Sequence, residues 1–137
     1  MDCIFCSIVS GEIPARKIHE TQRSLAFLDA FPLTKGHSLV IPKTHYLKIQ
    51  EMTNVDNADL FESVRVISTR MERISPSSLV AIHNGKESGQ EVPHVHVHLI
   101  PRHATDGVGP VHSMFTTRPK LSDVEFDEIA EILRNQY

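Results

Sequence analysis

Val92-Pro93-His94-Val95-His96-Val97-His98-Leu99-Ile100-Pro101 alternates imidazole with aliphatic side chains through its centre. Successive side chains of an extended chain point to opposite faces. The segment therefore predicts a strand over residues 92–100. His94, His96 and His98 share one face, and Val95, Val97 and Leu99 pack into a core on the other. Alternation also arises when polar residues simply face solvent, but histidine has no β-propensity strong enough to account for three in strict register. A single metal held by all three is at odds with the strand rise of about 3.3 Å per residue, which sets His94 and His98 roughly 13 Å apart. Zn–N bonds are only about 2.0–2.1 Å. A separate task for each ring fits better. Imidazole is a nucleophile and a proton carrier near neutral pH. A row of such rings can attack a phosphorus, steady its oxygens and help a leaving group depart.

The neighbouring sequence supplies a frame for this strand. Leu60, Val64, Ile67, Met71 and Ile74 recur at helical spacing, which predicts a helix over 54–74, stopped by Ser75-Pro76. Residues 3–9 read as a short helical turn ending before Gly11. Residues 17–20, 24–29, 38–41 and 79–83 read as strands. Ser122-Asp123-Val124-Glu125 is a capping box that opens a helix to Arg134, with Phe126, Ile129, Ile132 and Leu133 expected on its buried face. Short spacers favour hairpins over βαβ crossovers. The expected class is α+β, an antiparallel sheet with a long helix packed on it. Upstream of the histidines, Asn84-Gly85-Lys86-Glu87-Ser88-Gly89-Gln90 is a polar loop. Its glycine backbone and the side chains of Asn84 and Gln90 are suited to cradling an anion.

The 137 residues suit one domain, residues 1–137, with a core over about 3–102 and a loop and helix over 103–137. A net charge of −3 offers no basic field for a nucleic-acid backbone, so no nucleic-acid partner is expected. No run reaches the roughly 18 apolar residues of a membrane span. The N-terminus has no basic segment followed by a long apolar one, so the expected location is cytoplasmic. There, Cys3 and Cys6 are read as thiols or metal ligands and not as a disulfide.

His94-Val95-His96-Val97-His98-Leu99-Ile100 resembles the signature of the histidine-triad (HIT) family, His-φ-His-φ-His-φ-φ with φ apolar, at every position. Ile4-Phe5-Cys6-Ser7-Ile8, Gly11-Glu12-Ile13-Pro14, Leu25-Ala26-Phe27-Leu28-Asp29, Gly36-His37-Ser38-Leu39-Val40-Ile41-Pro42-Lys43 and Gly89-Gln90-Glu91-Val92 resemble the Hint-like branch. The resemblance covers residues 3 to about 102. It implies a HIT-like fold, a homodimer whose sheets join, and a purine mononucleotide or nucleotide conjugate as substrate. It also implies hydrolysis or transfer of nucleotidyl groups, with no catalytic metal required. By match, His96 resembles the nucleophile of a covalent nucleotidyl-histidine intermediate, His98 a phosphate contact and His37 a supporting histidine. Asp29 resembles the ribose-hydroxyl acceptor. Ile4, Phe5, Ile8, Phe27 and Leu28 resemble the nucleoside pocket, and Asn84, Gly89, Gln90 and Val92 the phosphate side.

Phosphoramidase-type members carry Ser or Thr where this chain has Glu91. An ionised carboxylate there cannot donate a hydrogen bond and repels phosphate, so only backbone N–H groups of Glu91 or Val92 are expected to contribute. Nucleoside phosphoramidates are the expected substrates. A Fhit-like dinucleoside polyphosphate hydrolase and a nucleotide-binding module with little turnover are the alternatives. Cys3 and Cys6 fall on one face of a helical turn. They are either inert core cysteines or half of a structural zinc site, with His45 and His94 as the candidate third and fourth ligands.

Overall fold

The computed structural model describes residues 2–135. They form two compact units, one ending at Asp106 and the other beginning at Gly107. In the first, α1 (Ile4–Ser10) is followed by β1 (Lys17–Glu20), β2 (Ser24–Leu28), β3 (Ser38–Pro42), α2 (Asn54–Met71), β4 (Ser77–Ala81) and β5 (Val97–Arg102). The strands make one antiparallel sheet in the order β1-β2-β3-β5-β4.

The period-2 pattern divides the apolar residues between the two faces of this sheet. Ala26, Val40, Val95, Val97 and Leu99 meet Leu60, Val64, Ile67 and Met71 of α2. Leu25, Phe27, Leu39 and Ile41 point the other way and meet Cys3, Phe5 and Ile8. The α2 stripe is thus the expected one, but the helix ends at Met71 and Ile74 lies beyond it, 47% exposed. Thr53 caps α2 by accepting from the Asp56 N–H. Gly11 caps α1 in the left-handed conformation that glycine adopts without strain.

The histidine segment departs from a continuous strand. Only Val97, His98 and Leu99 pair with β3, opposite Val40, Leu39 and Ser38. Residues 92–96 leave the ladder. The His94 N–H folds back to the Val92 carbonyl at 2.8 Å, and the Val95 N–H reaches the Tyr46 carbonyl at 2.8 Å. Pro93 has no N–H to offer a neighbouring strand, which favours this break. The two-faced alternation persists, since Val95 stays in the α2 core while His94 and His96 are buried on the side of Phe5. β4 begins two residues earlier than expected, with Ser77 opposite Arg102 and Ala81 opposite His98, because β5 continues through Pro101 to Arg102.

In the second unit α3 (Asp123–Arg134) carries the expected capping box, with both reciprocal bonds between Ser122 and Glu125 present. Its expected buried face is corrected. Phe126, Ile129, Ile132 and Leu133 are all exposed, by 42% to 78%. A unit this short has too little chain to enclose an apolar helix face of its own.

Candidate functional site

Backbone groups fix the proton on each ring of the histidine row. A carbonyl oxygen only accepts and an amide N–H only donates, so each such contact assigns a tautomer. His94 donates from Nε2 to the Pro42 carbonyl at 2.8 Å, which leaves the Nδ1 lone pair free. His96 donates from Nδ1 to the His94 carbonyl at 2.7 Å, which leaves Nε2 free. The Leu33 N–H donates to His37 Nδ1 at 3.1 Å, so the His37 proton sits on Nε2. His37 Nε2 then donates to His98 Nδ1 at 3.0 Å, and the His98 proton faces away on Nε2. Three adjacent histidines thus present three different faces: a lone pair on Nδ1, a lone pair on Nε2 and an N–H on Nε2.

Burial keeps these rings neutral. It pushes His98 down to about 4, helped by the neighbouring His96, His37 and His83. It pushes His94 down to about 4 against the bond to Pro42. His96 and His37 are also lowered by burial, offset at His96 by the bond to the His94 carbonyl and at His37 by the Asp29 carboxylate. A neutral imidazole keeps a lone pair, which a nucleophile or a metal ligand needs.

The free Nδ1 of His94 points at the two cysteines. It lies 3.4 Å from Cys3 Sγ, 3.6 Å from Cys6 Sγ and 3.2 Å from His45 Nδ1, and His45 Nδ1 lies 3.4 Å from Cys6 Sγ. A tetrahedral zinc with bonds of about 2.05 Å to nitrogen and 2.3 Å to sulfur separates N from N by about 3.3 Å and N from S by about 3.6 Å. The four side chains match that spacing and form one group of ligand atoms within 4.8 Å of one another. The bond from His94 to Pro42 is the kind of outer contact that would orient this ring toward a metal. A second group, Asp29, His37 and His98, is equally close. There the Leu33 N–H occupies His37 Nδ1 and puts a proton on the inward Nε2. That cluster is wired as a hydrogen-bond chain and lacks the lone pair a metal needs.

The remaining sequence-predicted residues fall into three groups. Asp29 has one oxygen accepting from the Phe31 N–H at 2.8 Å, so it does hold a turn, while its other oxygen stands 3.6 Å from His37 Nε2. Phe5, Ile8 and Phe27 are core residues, and the Phe5 ring packs edge-on against His94, His96 and Phe27 at 5.8, 5.1 and 5.8 Å. Val92 packs on the same cluster, whereas Ile4 and Leu28 are 48% and 37% exposed. The polar loop behaves differently from a side-chain cradle. Gln90 spends both ends of its amide within the chain, accepting from the Gly85 N–H at 2.8 Å and donating to the Leu47 carbonyl at 2.9 Å. Asn84 likewise bridges Ile49 and Gln50. These amides shape the loop. The N–H groups of Glu91 and Val92 donate to no other described residue. A cavity of about 780 Å³ lies along this loop, lined by Leu47, Lys48, Lys86, Glu91 and Pro93 among others.

One residue of the site escaped the sequence reading. The His83 ring meets the His98 ring edge-on at 5.4 Å. The signal was the hairpin register: Ala81 lies opposite His98, and His83, two residues on, falls on the same face.

Stability should depend on pH through these neutral rings. The folded-state value of His98, about 4, lies below its ordinary 6.5. Stability is therefore complete above pH 6.5 and falls as pH drops from there toward 4, where the unfolded chain takes up a proton that buried His98 refuses. Urea denaturation at successive pH values should show this fall, and His98→Gln should make it shallower. Equal slopes for the two proteins would contradict the assignment.

The sequence profile of the HIT domain matches residues 10–105. An adenosine 5'-monophosphoramidase, hnt1, of Schizosaccharomyces pombe is 46% identical over 103 residues, covering 74% of this chain and 75% of that protein. A crystal structure of a HIT-family member from Bacillus subtilis superposes with a TM-score of 0.87 at 35% identity, covering 98% of this chain and 96% of that one. A Zn-bound histidine triad family protein from Mycobacterium smegmatis gives a TM-score of 0.67 at 34% identity, covering 80% and 81% of the two chains. With the triad motif, the five-stranded sheet and these relatives in agreement, the chain belongs to the HIT family.

Proposed function

We propose that this chain hydrolyses or transfers the nucleotidyl group of purine nucleoside phosphoramidates, through a covalent nucleotidyl-His96 intermediate. The observation that carries this reading is the free Nε2 of His96, held ready by the bond from its Nδ1–H to the His94 carbonyl. When Nε2 bonds to phosphorus the ring becomes cationic, and the same carbonyl then accepts from a more acidic N–H, a contact that strengthens as charge develops. The Nε2–H of His98 faces a phosphoryl oxygen and the His37 contact keeps it there. The N–H groups of Glu91 and Val92 supply further donors, and the nucleoside lies along Ile4, Phe5, Ile8, Phe27 and Leu28 with Asp29 at its ribose. Of the candidate leaving groups, an amine suits the Glu91 carboxylate, whereas a polyphosphate is repelled by it. The hnt1 relative, a monophosphoramidase by name, supports the same substrate class.

His96→Ala should lower turnover by several orders of magnitude while AMP still binds, since the pocket and phosphate donors remain. Quenching a slow substrate and mapping the label by mass spectrometry should place the nucleotidyl group on His96. A label on another histidine, or full activity of the variant, would sink the mechanism.

Zinc is the proposed occupant of the Cys3, Cys6, His45 and His94 group, holding α1 to the start of the histidine segment. None of the proposed chemical steps draws on it. Elemental analysis of protein purified without added metal should find about one zinc per chain, the content of a single closed site. Cys6→Ser should lower both that content and the melting temperature, and zinc-free protein of unchanged stability would refute the site.

A homodimer is the proposed assembly. β4 is an edge strand, with Leu79 37% and Val80 45% exposed on its two faces. An edge of this kind invites pairing. Light scattering at micromolar concentration should give twice the chain mass, and a monomer there would count against the assembly.

A further inference from the structure

The hydrogen-bond chain that holds His98 has a chemical consequence. An amine leaves phosphorus only after its nitrogen gains a proton. His98 can point its Nε2–H at a phosphoryl oxygen, but it cannot give that proton away. To replace it, His98 would draw the proton from His37 Nε2, the next link at 3.0 Å. Among the described residues His37 has only the Leu33 amide N–H on its other side, and a peptide N–H is not surrendered. Proton transfer along this chain would strand a buried imidazolate, a form that burial strongly disfavours. The chain orients His98 and ends there, so another group must supply the proton.

His83 is placed to do so. The sheet order sets β3 on one side of β5 and β4 on the other. His37 immediately precedes β3, and His83 lies two residues past β4. Their rings flank His98 from opposite sides, with centroids at 5.2 and 5.4 Å. Asp29 stands beside His37, so the nucleoside side of a phosphate seated at His96 and His98 is the His37 side. The side of His98 that carries His83 and the 85–91 loop is then left for the leaving group. Gly89 lies beside this ring: a Cβ there would make ordinary contact with His83 Cδ2 at 3.4 Å, and the φ of +106° is what favours glycine. The ring nitrogens of His83 have no hydrogen-bond partner among the described residues, and the side chain is half-buried.

We propose that His83 is the general acid and base of the reaction, acting on the leaving-group side of the phosphorus. This assignment rests on the phosphoramidate reading above. In the first step the His96 Nε2 lone pair bonds to the α-phosphorus and the P–N bond to the amine breaks. The bond pair goes to the departing nitrogen, which takes a proton from the His83 imidazolium and leaves as neutral amine. In the second step a water oxygen attacks the same phosphorus and passes its proton to the now neutral His83. The P–N bond to His96 breaks, its pair returns to Nε2, and the mononucleotide is released with His83 recharged. One group serves both steps in opposite directions, as microscopic reversibility requires.

The test compares two substrates of one nucleoside, an alkylamine phosphoramidate of AMP and the 4-nitrophenyl ester of AMP, in wild-type protein, His83→Gln and His83→Leu. The nitrophenolate departs as an anion and needs no proton. Both variants should lose roughly 100-fold or more in kcat/KM for the amine substrate, within the usual range for general acid catalysis. The first step with the nitrophenyl ester, read as the nitrophenolate burst, should change less than about threefold, and AMP affinity and melting temperature should be retained. Across a series of amines of rising basicity, wild-type rates should stay nearly level while variant rates fall. Equal losses on both substrates, or retained amine turnover in folded His83→Gln, would overturn the role of His83. Wild-type protein that turns over neither substrate would instead overturn the phosphoramidate reading, so the two failures are distinguishable. If both variants unfold, the amine series in wild-type protein decides, because a steep fall with basicity there rules out proton donation.

Discussion

A carbonyl of the histidine segment's own backbone, that of His94, accepts the Nδ1–H of His96, and the lone pair that the site presents follows from it. Imidazole has two nitrogens and, when neutral, one proton. Whichever nitrogen donates to the carbonyl surrenders the other as a lone pair. The same logic, applied with a different partner at each ring, gives three chemically identical side chains an Nδ1 lone pair facing the cysteines, a free Nε2 lone pair and an Nε2–H donor. Burial reinforces the division by keeping the rings neutral.

This arrangement requires the segment to stop being a strand. In a continuous ladder the His94 carbonyl would be spent on a neighbouring strand and lost to the His96 ring. The break at Pro93, the backward bond of the His94 N–H and the bond of Val95 to Tyr46 free the His94 carbonyl for His96. The turn also brings His94 within reach of Cys3, Cys6 and His45, elements otherwise distant along the chain. Phe5 fills the space between, its ring against both His94 and His96, so one apolar side chain serves as core and as brace. Gln90 contributes at a distance, its amide joining the 85–90 loop to Leu47.

Much of this was readable from the sequence. Strict alternation over 94–99 assigns the histidines and aliphatics to opposite faces whether or not the backbone is hydrogen-bonded as a strand, because side-chain direction follows local extension alone. Helical spacing over 60–74 and the Ser122–Glu125 box are local patterns too, and both helices form, the first ending at Met71. The Cys3-x-x-Cys6 pair carries its own geometry within one helical turn.

Tertiary structure decided what depends on neighbours remote in sequence. The proton position on each ring is set by Pro42, the His94 carbonyl and Leu33, which no spacing rule connects to their partners. His83 joins the site only through the β4–β5 register, and Asn84 and Gln90 leave the expected side-chain cradle because their amides find backbone and side-chain partners in the 47–50 segment. The apolar stripe of α3 stays exposed for the converse reason. A hydrophobic period specifies which residues share a face, and only the packing of other elements determines whether that face is covered.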